Sequence, residues 1–138
     1  MLIKLSTEKP VHEASAALEA AVEKESFGVM HVYNLKEIMA KKGVAFPREC
    51  LIFEVCQPQQ AKKVLDQDMS LSTALPCRIS IYEEAGKTVF AMVKPSRLLA
   101  MFNIPQLAGV AQEVENSMIK IMKRAAAGQP AGHPLAVL

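Results

Sequence analysis

The sequence predicts an α+β fold, a single domain with one twisted sheet and helices packed on one of its faces. Three observations carry this. Strand-like and helix-like stretches alternate in the order β-α-β-α-β-α-β-β-α-α. The last two strand candidates are joined by a tight Gly-containing turn, which makes an antiparallel hairpin. No Gly-rich phosphate loop follows any strand, so a doubly wound nucleotide-binding sheet is not indicated.

The opening "LIKLST" is a short strand candidate, with Thr7 upstream of Pro10 as a candidate cap for the first helix. From Val11 to Lys24, Ala14, Ala17, Leu18, Ala21 and Val22 recur at spacings of three and four, the pattern of an amphipathic helix. "FGVMHVY" (27–33) is rich in β-branched and aromatic residues and reads as a strand. Asn34 and Glu37 form a capping pair for a short helix with Leu35, Ile38 and Met39 on its apolar face, and Gly43 stops it. "CLIFEVC" (50–56) is the next strand. Pro58 then fits the first turn of a helix striped by Ala61, Val64 and Leu65.

"MSLSTALP" (69–76) reads as a loop. "CRISIYE" (77–83) and "KTVFAMV" (87–93) form the hairpin, with Gly86 at the bend. A short helical piece follows Pro95, and Pro105 breaks it. Leu107, Val110, Ala111, Val114, Met118, Ile121 and Met122 keep helical spacing through the longest helix, 106–124. Residues 1–125 are thus expected to form the domain. Residues 126–138, with two Gly and two Pro, are expected to be a mobile tail.

Composition narrows the function classes. The chain has 138 residues, 51% hydrophobic and 22% charged, with a net charge of +2. That length suffices for a real core. There is no Lys/Arg-rich stripe, and aromatics are only 5%, so a nucleic-acid partner is not expected. No apolar run is long enough to cross a bilayer, and the start is too short for the apolar region of a signal peptide. Three cysteines without an export signal fit reduced thiols in the cytoplasm.

Strand alternation assigns faces. Leu51, Phe53 and Val55, like Cys77, Ile79 and Ile81, form apolar rows that should meet the helices. Glu54, Cys56, Arg78, Ser80 and Tyr82 then share the opposite, open face. Phe27, Val29, His31 and Tyr33 are assigned to that open side, as are Phe90 and Met92. The resulting face is too apolar for idle surface and too polar for core, which suits a ligand or a second subunit. The candidate ligand-binding residues are His31, Glu54, Cys56, Arg78, Ser80 and Tyr82. Cys56 is also the candidate reactive thiol, because it ends a strand just before a helix start, where unpaired N–H groups favour a thiolate. Equally, it can be a small apolar filler. Cys77 reads as core filler.

Cys56 and Cys77 fall on opposite faces by parity. No C-x-x-C pair occurs, and the three histidines lack ligand spacing, so no metal is expected. No paired-carboxylate arrangement, nucleophile elbow or P-loop is present, the pattern leaves any cofactor unknown, and the chain reads as a binding protein rather than an enzyme.

The segments "LIFEVCQPQQAKKVL" and "ALPCRISIYEEAGKTVFAMVKP" together resemble the domain-of-unknown-function family 302. That family shows a strand ending in Cys-Asn-Pro, Ala and Leu on the next helix, and a loop leading to Leu-Pro-Cys-Arg and a strand ending in Tyr-Glu. Here these stand as Cys56, Gln57, Pro58, Ala61, Leu65, Leu75, Pro76, Cys77, Arg78, Tyr82 and Glu83. Gln57 departs from the usual Asn and should weaken the local cap. The resemblance spans residues 10–125. It implies a TATA-binding-protein-like α+β fold with a curved antiparallel sheet, a long C-terminal helix and a homodimer, and it lends functional weight to Cys56 and Arg78. It implies no settled activity.

Two functions follow as expectations. One is a small dimeric cytoplasmic module that binds a small ligand or partner on the open sheet face. There Arg78 would anchor an anionic group, Ser80 and Tyr82 would hydrogen-bond, and Phe90 and Met92 would give apolar contact. The other is a thiol-based sulfur carrier or redox protein using Cys56, its pKa lowered by Arg78 or His31.

Overall fold

Each predicted strand and helix is present in the computed structural model, which describes residues 1–127. The order is β1 (Leu2–Thr7), α1 (Val11–Lys24), β2 (Gly28–Asn34), α2 (Leu35–Lys41), β3 (Cys50–Cys56) and α3 (Pro58–Gln67), then β4 (Cys77–Glu84), β5 (Lys87–Val93), α4 (Pro95–Ala100) and α5 (Ala108–Ala126). Short 3₁₀ segments occupy Met69–Ala74 and Pro105–Leu107. α5 takes in Ala126, and the expected tail otherwise lies, from residue 128 onward, outside the described residues.

Local chemistry explains most boundaries. Asn34 Oδ1 accepts from the backbone N–H of Glu37 at 3.1 Å and caps α2 as expected. Gly43, at φ +78°, ends that helix, with its own N–H on Ala40 O and the Val44 N–H on Met39 O. Gln57 Oε1 accepts from Gln60 N–H at 2.8 Å, so α3 has a full cap, and the departure from Asn costs nothing visible here. Thr7 does not cap α1; its hydroxyl accepts from Lys9 N–H in the preceding turn, and Pro10 occupies the cap position without a side-chain bond.

The stretch expected to be a loop, 69–76, is largely 3₁₀. Asp68 Oδ1 starts it by accepting from the backbone N–H and hydroxyl of Ser70, and these bonds hold the Asp68 carboxyl below its ordinary pKa. In the hairpin, Ala85 and Gly86 both have positive φ, which matches the tight two-residue turn that follows the twist of the flanking strands.

The five strands form one open sheet in the order β1-β5-β4-β3-β2, every neighbouring pair antiparallel. One face is covered by α1 and α5. Phe53, Val55, Ile79, Ile81, Phe90 and Met92 from the sheet meet Leu18 and Val22 of α1 and Met118, Ile121 and Met122 of α5 in the main core. Phe90 and Met92 therefore do not lie on the open face. Register decides this: Phe90 stands beside Ile81 and Leu5, and Met92 beside Ile3, all of which point to the helices. The open face of β5 carries Val89, Ala91 and Val93 instead.

β2 departs from simple alternation as well. Its register shifts between Val29 and His31, so Val29 pairs with Val55 and packs toward the core, whereas His31 pairs with Glu54 on the open side. The extra residue is Met30, which is exposed. Phe27 likewise packs against the core rather than standing on the open face.

A second, smaller apolar cluster sits at one end of the sheet. It joins Val64 of α3, Leu71 and Ala74 of the 3₁₀ segment, Leu99 of α4, Leu107, and Ala111 of α5. α5 belongs to both clusters. α4 is tied to it by Glu115, whose Oε1 accepts from the Ser96 backbone N–H at 3.1 Å and hydroxyl at 2.5 Å. Burial raises the pKa of Glu115, but these bonds, the Gln112 amide and the charge of Lys94 outweigh it and hold the carboxyl below its ordinary value.

Candidate functional site

Strand ends build the site. At one end of the sheet the C-termini of β3 and β5 lie beside the N-terminus of β4, so Cys56, Cys77, Arg78 and Val93 come together. α3, the 3₁₀ segment and α4 cover this end, and Val114 of α5 closes the side. Between them is a cavity of about 290 Å³. It lies at the seam of the two apolar clusters: Val55 and Cys77 come from one side, Val64, Leu98 and Leu99 from the other. Its wall is mostly aliphatic, and its polar residues include Cys56, Cys77, Gln60 and Arg78.

Of the six expected ligand-binding residues, Cys56 and Arg78 line this cavity; His31, Glu54, Ser80 and Tyr82 are not part of its wall. Those four do share the open sheet face, as parity required, but they spread along it. Glu54 pairs across the strands with His31 on one side and Arg78 on the other. Ser80 lies opposite Ile52 and Ala91, and Tyr82 opposite Cys50 and Val89, progressively farther from the cavity.

The polar row across the open face is tightly engaged with itself. Arg78 Nη2 donates to Glu54 Oε2 at 3.2 Å, and Glu54 is largely buried beneath its neighbours. A hydrogen bond to Glu54 raises the Tyr33 pKa, burial and the Glu54 charge add to it, and the charge of Arg78 opposes it. The His31 and Tyr33 rings meet edge-to-face at 4.4 Å between centroids. With Glu54 holding it, Arg78 is a neutralised partner on the cavity rim. Its guanidinium is still half exposed.

The two thiols are closer than parity suggested. Cys77 follows the 3₁₀ segment and opens β4 opposite Val55, one residue from Cys56, and both thiols border the same cavity. Cys77 is therefore core filler on one side and cavity wall on the other. Burial pushes its pKa up to about 11, with the nearby Cys56 thiol adding to the rise. Burial also pushes the Cys56 thiol up. Register explains why no imidazole lowers it: β2 and β3 are neighbours, yet Cys56 faces Gly28, and His31 faces Glu54. The N-terminus of α3 is capped by Gln57, whose side chain accepts the Gln60 N–H.

Labelling checks this directly. Iodoacetamide at pH 8 is expected to alkylate Cys77 about a hundredfold more slowly than a thiol of pKa 9.0, because the thiolate fraction falls tenfold for each unit between 9.0 and about 11. The rate should climb as pH rises toward about 11. Labelling of native Cys77 as fast as in urea would contradict the buried placement.

Alternation alone could not find Gln60, Ala61, Leu75, Leu98 or Leu99. One signal was available: Gln60 precedes Val64 by four residues on α3, so a polar side chain sits on the apolar stripe.

Among the described residues, no group of three or more His, Cys, Asp or Glu side chains could hold a metal ion, and no helix is long and apolar enough to cross a membrane.

Fold and site define an α+β domain with an open five-stranded antiparallel sheet and an apolar cavity at its end. The family model described as Domain of unknown function DUF302 matches residues 3–125, and the chain belongs to that family. It is also similar to the crystal structure of an uncharacterized conserved protein DUF302 from Bacillus stearothermophilus. The TM-score is 0.85 and the identity 31%, over 90% of this chain and 97% of the other. No curated protein matches the chain.

Proposed function

We propose that the domain is a binding module that holds a small, mainly apolar molecule in the cavity at the end of the sheet. The observation that carries this is the cavity itself, about 290 Å³ of space walled by aliphatic side chains from both clusters. Apolar walls facing such a space forgo dispersion contacts that a ligand restores. At ~30 Å³ per water-sized group, the space suits a molecule of about ten non-hydrogen atoms. The location moves the earlier expectation from the open sheet face to its end, with Cys56 and Arg78 as the shared residues. Arg78 forms a polar rim there.

The raised pKa values of Cys56 and Cys77 keep both thiols protonated at neutral pH, which supports their role as wall rather than as thiolate nucleophiles. The three free thiols fit a reducing, cytoplasmic setting. The test is binding: n-hexanol titrated into isotope-labelled protein should shift the amide resonances of Ala61, Cys77 and Leu98 saturably. Shifts confined to other regions would contradict the reading.

The open sheet face supports a further role, contact between two copies of the chain. Leu2, Met30, Tyr33 and Val93 are all exposed on it or at its edges, around Ile52 and Ala91. Light scattering should then give twice the monomer mass for the wild type and the monomer mass for Tyr82→Asp. A wild-type monomer would contradict this role.

A further inference from the structure

The cavity has a closed end and an open end. Val55, Val64, Ala74 and Leu99 in its wall are buried, whereas Arg78 and Val93 are exposed. The space therefore opens where these two side chains stand, at the end of the open sheet face. Among the described residues that line it, Arg78 alone is charged. The Arg78 side chain is 57% exposed, so a molecule at the mouth can reach it. Its guanidinium has five N–H donors, and Glu54 engages one of them, through Nη2 to Oε2 at 3.2 Å. That bond is longer than the roughly 2.8 Å usual between a guanidinium and a carboxylate. Glu54 has a second partner in Tyr33, which also hydrogen-bonds to it. Glu54 thus balances the charge of Arg78 without using up its donors.

We infer that the cavity takes a straight-chain aliphatic carboxylate, with its tail toward Val64 and Leu99 and its head held at the mouth by Arg78. This rests on the cavity being a binding site and adds the chemical class of the ligand. The aliphatic wall sets the tail, and space for about ten non-hydrogen atoms corresponds to octanoate. Desolvation sets the place of the head. Drawn in among Val55, Val64 and Leu99, an ionised carboxylate would lose its water and gain no partner. At the mouth it keeps water on one side and meets a planar guanidinium on the other, whose N–H groups match the two carboxylate oxygens. A cationic head would meet Arg78 as a like charge. Glu54 opposes the carboxylate by its own charge, so the two members of the ion pair act on binding in opposite directions. A pair that only held the fold together would not do so.

The test uses octanoate and octan-1-ol, which share a tail length and differ in the head. Each is titrated at neutral pH into isotope-labelled wild type, Arg78→Met and Glu54→Gln, with the amide shifts of Ala61, Cys77 and Leu98 as the readout. The quantity compared is the affinity for octanoate divided by that for octan-1-ol, which cancels any change in how the tail fits. It should fall about fivefold to tenfold in Arg78→Met and rise about threefold in Glu54→Gln. Glu54→Gln keeps the side-chain size and an accepting oxygen, so the comparison stands even where Arg78→Met folds poorly. A wild-type ratio in either folded variant, or binding of octan-1-ol without octanoate in the wild type, would overturn the carboxylate assignment and leave the cavity as a binding site. If neither molecule shifts the wall in the wild type, the binding reading itself falls, and this inference with it.

Discussion

Phe90→Ala is expected to lower the unfolding free energy in urea by about 3–5 kcal/mol, the cost of emptying a large aromatic site in a core that only partly collapses. Phe90 is fully buried between Ile81 and Leu5 of the neighbouring strands and the helices above them. Val93→Ala is the internal comparison. Val93 lies on the same strand but on the other face, and it is 40% exposed, so its truncation should cost less than about 1 kcal/mol. A Phe90→Ala cost as small as that of Val93→Ala would mean that β5 presents its other face to the helices. The whole placement of the open face would then be wrong, because β4 and β5 share one register.

Ala61→Trp has the largest expected effect on binding. Ala61 is a small, partly exposed residue on α3 whose side chain borders the cavity near Cys56. An indole in its place occupies the space the ligand needs. Affinity for n-hexanol should drop by tenfold or more, on the order of the 1.4 kcal/mol that a tenfold change represents. Stability should change by only about 1 kcal/mol, since the site is at the surface end of the cavity rather than in either cluster. Leu98→Trp, from the α4 side of the same cavity, should block binding in the same way and covers the case in which the first variant folds poorly.

How far the sequence reaches can be seen residue by residue. The elements were legible because caps and breakers are local: Asn34, Pro58, Gly43 and the Ala85–Gly86 bend act within a few residues of themselves. Faces were legible where one side of a strand is plainly apolar and the other polar, as in Phe53 and Val55 against Glu54. They were not legible in β5, where Val89, Ala91 and Val93 compete with Phe90 and Met92 and both rows are apolar. Only the pairing of Phe90 with Ile81 breaks that tie. Nor were they legible in β2, where a bulge at Met30 shifts the alternation midway.

The candidate site was half legible for a related reason. Cys56 is marked by its position at a strand end and Arg78 by its open-face parity and the family resemblance, and both do border the cavity. Parity set Cys56 and Cys77 apart, but side chains at strand ends turn toward whatever covers them, and α3 with the 3₁₀ segment gathers both. The cavity itself depends on how α3, α4 and α5 pack beyond the sheet, which no single periodicity encodes. Sequence alternation points to the polar row of His31, Glu54 and Arg78 as ligand contacts, whereas the structure engages it largely in an ion pair and a ring contact within the chain.

The most direct measurement of the central claim is the titration of n-hexanol into isotope-labelled wild type and Ala61→Trp side by side. The cavity assignment predicts saturable shifts in the wild type concentrated at Cys56, Ala61, Cys77 and Leu98, and their loss in the variant. Non-saturating shifts spread over the open sheet face around Tyr33 and Ser80, identical in the two proteins, would contradict it.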